Sequence, residues 1–211
     1  MGGGNAKGIF ALIPYDWTNQ ESLDTPVKWH CGDPEADPWE WRMRVLEERQ
    51  DIAYSKLFFK TSGFITREWY PKFISVRRNG ETFQDAYARG SVSYTAKRIY
   101  DIISDGEVAL HEIKALGGFG KEDKAQFERA LVELQMRMFI TMTGRQQKLN
   151  KDGIGYGWNS TVFATVEHFW EKRDFTIPAL DPEESYRDIK AQIKFLNPVA
   201  EERVIRKFVC G

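Results

Sequence analysis

Between residues 121 and 139 the apolar side chains Phe127, Leu131, Leu134 and Met138 recur at four-three-four spacing. That spacing marks one buried face of an α-helix and fits no strand. A helix with such a stripe needs partners, and the preceding chain supplies them in a particular order. Residues 94–104 set Ile99, Ile102 and Ile103 on one side of a shorter helix closed by Asp105-Gly106. Val108-Ala109-Leu110 is a short extended link, and residues 111–116 form a second helix stopped by Gly117-Gly118. After the long helix, residues 140–143 and 146–149 are expected to form two strands around Gly144-Arg145. Helix, short strand, helix, helix and two-stranded ribbon is the order of a winged helix. There the third helix usually enters the DNA major groove while the ribbon touches backbone.

The rest of the chain is organised around this unit, residues 91–160. Residues 1–38 form an extended N-terminal segment that is acidic from residue 16 onward and interrupted by Pro26, Pro34 and Pro38. Residues 39–90 read as a helical half. A helix starts at Pro38-Trp39 behind Asp37 and runs to Lys60, because proline suits a first turn and aspartate accepts free amides. A second helix, capped at residues 66–69, reaches Val76, and a short one covers residues 83–89. Residues 161–211 continue a strand and turn begun at Trp158, which returns to the core by Trp170. They then form a helix opened by Asp181-Pro182 and a last amphipathic helix with Val204, Ile205 and Phe208. The fold class is therefore α+β and mostly helical: a winged helix packed with an N-terminal half, itself possible as winged-helix-like, and C-terminal helices.

Charge narrows the function. Lys and Arg number 30 against 31 Asp and Glu, a formal net charge of -1, which excludes a polybasic protein but leaves room for a local basic face. Such a face exists: residues 134–151 contain no acid, while Arg137, Arg145, Lys148 and Lys151 carry four positive charges and Gln146 and Gln147 add neutral donors and acceptors. A strip of this kind neutralises phosphates. It is equally the composition of a solvated hairpin. On the third helix Lys121, Lys124 and Arg129 are candidate DNA contacts, but Glu122, Asp123, Glu128 and Glu133 alternate with them. Mixed sign is a poor match to a phosphate-lined groove.

Other motifs fall away. Gly117-Gly118-Phe119-Gly120-Lys121 lacks the first glycine and the final Ser or Thr of a phosphate loop, so a helix stop and turn explain it better. Asp33, Glu35 and Asp37 alternate like half a calcium loop but lack its glycine and distal glutamate. His30-Cys31 has no spaced ligand pair for zinc, since His111 and His168 lie on other elements. No cofactor and no metal are expected. Two cysteines, Cys31 and Cys210, suit a reducing compartment, and the longest strongly apolar run, residues 9–13, is far short of a membrane span. A cytoplasmic protein without membrane contact is the expectation. Seven tryptophans, five of them before residue 70, supply either core filling or a stacking surface.

The stretch Trp29-His30-Cys31-Gly32-Asp33-Pro34-Glu35-Ala36-Asp37-Pro38-Trp39-Glu40-Trp41 resembles the opening of AlkZ-related proteins, small relatives of the AlkZ/YcaQ DNA glycosylases. Leu134-Gln135-Met136-Arg137, Phe139-Ile140-Thr141, Gly144-Arg145-Gln146-Gln147-Lys148 and Tyr156-Gly157-Trp158 are also similar to that group. The resemblance implies winged-helix building blocks and, for the glycosylases proper, excision of alkylated or crosslinked bases. Their catalytic pair is Gln-x-Gln or Gln-x-Asp. With Asp33-Pro34 as anchor, His30 and Gly32 stand where the two polar residues would be, and Gly32 brings no side chain.

Three functions follow. The first is a non-catalytic or weakly catalytic DNA-binding relative of base-excision glycosylases, its partner duplex DNA. The second is an active glycosylase in which His30 works with a nearby carboxylate, Asp33 or Glu35. The third is a protein-interaction module or homodimer whose wing never meets DNA.

Overall fold

The computed structural model describes residue 28 and residues 31–211. The described residues form helices α1 (Pro38–Glu48), α2 (Tyr70–Arg78), α3 (Phe83–Ala88), α4 (Tyr94–Ile103), α5 (Leu110–Leu116), α6 (Lys124–Met136), α7 (Val166–Glu171), α8 (Pro182–Leu196) and α9 (Glu202–Cys210). The strands are β1 (Ile52–Phe58), β2 (Thr61–Thr66), β3 (Val108–Ala109), β4 (Ile140–Leu149) and β5 (Gly155–Thr165). They join in one antiparallel sheet of order β2-β1-β4-β5-β3. The protein is α+β.

The expected helix from Pro38 to Lys60 is corrected: α1 ends at Glu48, and a β-hairpin follows. Residues 39–90 are thus not purely helical. The hairpin turns on Phe59 and Lys60, with φ of 51° and 63°, between the paired residues Phe58 and Thr61. Two consecutive left-handed residues make the tight turn that matches strand twist, and Asn-Gly is its usual sequence signal. Phe-Lys carries no such signal, so the apolar run resembled helix. The expected cap over residues 66–69 also differs: Trp69 stands before α2 with no side-chain cap bond.

The long helix is shorter than expected at both ends, yet Phe127 (1% exposed), Leu131 (9%) and Leu134 (0%) form its buried stripe; Met138, also buried, packs in a separate apolar cluster. Met138 lies just past the helix in the left-handed region, φ 60°. Its amide donates to Gln135 O at 2.9 Å and the Phe139 amide to Leu134 O at 2.9 Å, a Schellman ending that spends two terminal carbonyls. Gln135, also buried, accepts through Oε1 from Ser55 Oγ and the Lys56 amide, both at 3.0 Å, tying α6 to β1.

The sheet divides two apolar clusters. Ile99, Ile113, Phe127, Leu134, Phe139 and Phe163 pack on one side, and Leu57, Tyr70, Phe73, Trp170, Ile193 and Ile205 on the other. β1 serves both, sending Tyr54 into the first and Ala53 and Leu57 into the second, as the period-two alternation of a strand requires. Beneath the second cluster Arg77 donates Nε to Val209 O, Nη1 to Met136 O and Nη2 to Phe208 O at 2.8–2.9 Å. It therefore joins α2 to the last turns of α6 and α9, where helix carbonyls are orphaned and a cation is favoured. Burial pushes its pKa down to about 10, so it stays charged at neutral pH.

Candidate nucleic-acid interface

The ribbon is longer than expected. Residues 140–149 form one strand rather than two around Gly144-Arg145, and the turn lies at residues 150–154. Gly144 occurs instead at an irregularity: Met142 pairs Phe163 but Gly144 pairs Val162, so Thr143 is an extra residue on β4. The tip is closed by Asn150. Its amide donates to Ile154 O at 2.9 Å, and its Oδ1 accepts from the amides of Asp152 and Ile154 at 2.9 and 2.8 Å.

β5 carries a larger irregularity. Gln146 pairs Ser160 and Lys148 pairs Tyr156, which leaves Gly157, Trp158 and Asn159 opposite Gln147 alone. Gly157 takes φ 70°, with nothing near the position of a Cβ, so backbone conformation rather than crowding calls for glycine here. The bulge also decides where the return to the core begins. The segment does return to the core through Val162, Phe163 and Trp170, but Trp158 itself is 84% exposed, and Leu149, Ile154 and Tyr156 beside it are exposed as well.

The expected DNA contacts separate into three groups. Lys148, Lys151, Gln146 and Gln147 lie on the distal ribbon, and among the described residues neither lysine has an ion-pair partner. Gln146 Nε2 donates to Glu112 Oε1 at 3.1 Å, and Gln147 covers Gly155. Arg145 and Arg137 are engaged within the protein instead. Arg145 forms a half-buried ion pair with Glu40 of α1. Arg137 donates to Ser91 O, and to Ser91 Oγ at 3.2 Å, while lying over the Phe139 ring. Lys121, Lys124 and Arg129 are exposed on and before α6. Among the acids there, Glu133 is already held, accepting from Ser93 N at 3.2 Å and Ser93 Oγ at 2.8 Å at the start of α4.

The three residues expected to carry chemistry are not brought together. His30 lies outside the described residues. Asp33 is exposed and organises its own turn, its Oδ1 accepting the Glu35 amide at 2.9 Å and its carbonyl the amides of Ala36 and Asp37. The Glu35 side chain is 82% exposed and paired with Arg44 at 3.3 Å. Among the described residues no group of His, Cys, Asp and Glu could hold a metal.

A cleft of about 400 Å³ opens instead between α1 and the ribbon, lined by Glu40, Arg42, Met43, Arg145, Trp158, Asn159 and Thr161. None of the lining residues except Arg145 was a candidate from the sequence. The one available signal was the Tyr156-Gly157-Trp158 triplet, since an isolated glycine in a strand marks a bulge.

The geometry defines an α+β protein whose projecting antiparallel ribbon ends in lysines and exposed aromatics. The AlkZ-related family model matches residues 6–210, and the chain belongs to that family. No curated protein matches it. Among solved structures, Streptomyces sahachiroi DNA glycosylase AlkZ is similar at 13% identity and a TM-score of 0.42, the match covering 78% of this chain and 48% of that one. The chain thus corresponds to about half of that protein's length. Among the described residues no helix is long and apolar enough to cross a membrane.

Proposed function

We propose that this protein binds duplex DNA as a non-catalytic or weakly catalytic relative of base-excision glycosylases, with α4-β3-α5-α6-β4-β5 as a winged helix and the β4–β5 ribbon as its wing. The observation that carries this reading is the distal ribbon, where Lys148 and Lys151 are without ion-pair partners among the described residues and stand beside exposed Tyr156 and Trp158. Unspent cations on a projecting ribbon suit phosphates. Family membership supports a link to DNA repair. The mixed-sign surface of α6 argues for backbone contact rather than deep reading of base edges.

Chemistry is a poorer fit. Cleaving a glycosidic bond needs a positioned water and stabilisation of a cationic sugar, best achieved where bulk water is excluded. Asp33 and Glu35 stand in solvent and are spent on a turn and on Arg44. The test is salt-titrated binding to duplex DNA with and without an alkylated base, together with an assay for base release. Binding that weakens with salt and no release above a His30→Ala control are expected. Robust release, lost on changing His30 or Asp33, would establish the active-glycosylase reading instead.

One observation favours the interaction-module reading. Phe195 and Leu196 at the end of α8 and Val199 just after it are exposed, and a solution mass of two chains, lost on Phe195→Ser, would support it.

A further inference from the structure

We propose that the cleft between α1 and the bulged part of β5 holds one unpaired nucleotide of DNA, its base stacked on Trp158 and its phosphate against Arg145. This assignment rests on reading the ribbon as DNA-binding, and it names what the root of that ribbon would take.

Trp158 is the first reason. An indole is among the largest apolar surfaces a chain can bury, yet this one is 84% exposed. Its exposure is built into the backbone: the bulge of residues 157–159 and the left-handed Gly157 lift it out of the alternation that would otherwise set its direction. The ring also lines a cleft rather than standing alone. The cleft volume of about 400 Å³ lies within the roughly 300–1,000 Å³ of small-ligand sites.

The polar lining selects the ligand class. Arg42 and Arg145 stand against Glu40, with Asn159 and Thr161 beside them. An aromatic platform serves a sugar or a base equally, but its place at the root of a ribbon carrying Lys148 and Lys151 favours a phosphodiester over a neutral carbohydrate. A guanidinium has five donors in a planar fork. Glu40 engages Nη1 of Arg145, so the same side chain can hold that carboxylate and a phosphate oxygen together. Asn159 and Thr161 offer hydrogen bonds to a base edge. Stacking on Trp158 requires a free base face. In an intact duplex both faces are covered by neighbouring pairs, so the nucleotide must be unpaired, as in a gap, bulge or single strand.

The test uses the full chain and two labelled duplexes of one sequence, one intact and one with a short single-stranded gap. Wild-type protein should prefer the gapped duplex. Trp158→Ala should lose about ten-fold on gapped DNA and less than about two-fold on intact DNA, with an unchanged salt slope, because stacking is not ionic. Trp158→Phe should keep most of the preference. The side chain is in solvent, so the variant's urea midpoint should match wild type. Equal weakening on both duplexes, or none on gapped DNA, would overturn the proposal. If Lys148→Ala/Lys151→Ala still weakens both duplexes in that case, the ribbon reading survives without it. No binding of either duplex at low salt would overturn both.

Discussion

Arg77 and the ribbon lysines are the same charge in opposite surroundings. Arg77 is partly buried and gives its guanidinium to three main-chain carbonyls at the ends of α6 and α9. Lys148 and Lys151 lie on the distal ribbon with no ion-pair partner among the described residues. Arg145 falls between, half-buried and paired with Glu40. The difference separates cations that the fold consumes from cations that it leaves available. Counting basic residues along residues 134–151 merges the two kinds, since Arg137 and Arg145 are tied within the protein while the lysines are not.

The largest effect should come from the consumed side. Arg77→Ala would strand three partly buried carbonyls and remove a packed guanidinium, so we expect a loss of about 3–5 kcal/mol in urea unfolding. A loss below about 1 kcal/mol would mean that water can replace those bonds and that Arg77 belongs with the surface cations.

Leu134→Ala should cost about 3 kcal/mol and Leu131→Ala somewhat less, since Leu134 is fully enclosed and Leu131 lies at the edge of the same cluster. Arg129→Ala, on the exposed side of α6, should stay within about 0.5 kcal/mol. Equal shifts for all three would contradict the helical phase. Gln135→Ala comes next, at about 1–3 kcal/mol, because it leaves Ser55 Oγ and the Lys56 amide without their shared acceptor.

The smallest stability effect should belong to the available cations. Lys148→Ala with Lys151→Ala should leave the urea midpoint within about 0.5 kcal/mol of wild type. It should also flatten the dependence of DNA affinity on salt by about two charges' worth. Arg145→Ala should flatten it less, since Glu40 already neutralises that charge. A larger slope change from Arg145 than from the two lysines would reverse the division and place the contact at the ribbon's root.

Much of the fold is legible in the residues themselves. The stripe of Phe127, Leu131 and Leu134, the stops at Gly106 and Gly117, and the Asp181 cap whose Oδ1 takes the Glu184 amide at 2.7 Å are local features. Periodicity and caps act within a few residues, so the sequence alone determined these helices and their order.

Three things were decided only by tertiary contact. The β1–β2 hairpin forms although its turn is Phe59-Lys60. Its apolar strands have buried surfaces on both sides of the sheet, and pairing with β4 through Tyr54 and Met142 anchors them there. Trp158 emerges because the register between β4 and β5 leaves three residues facing one, and a register is a property of two strands, not of either sequence. Arg77 and Arg145 have sequence neighbourhoods that say nothing of their fates. Which charge is consumed depends on carbonyls and carboxylates that lie 59 residues away in Met136 and 105 away in Glu40. Local sequence sets the elements, but partners at such distances exist only once the chain has closed around them.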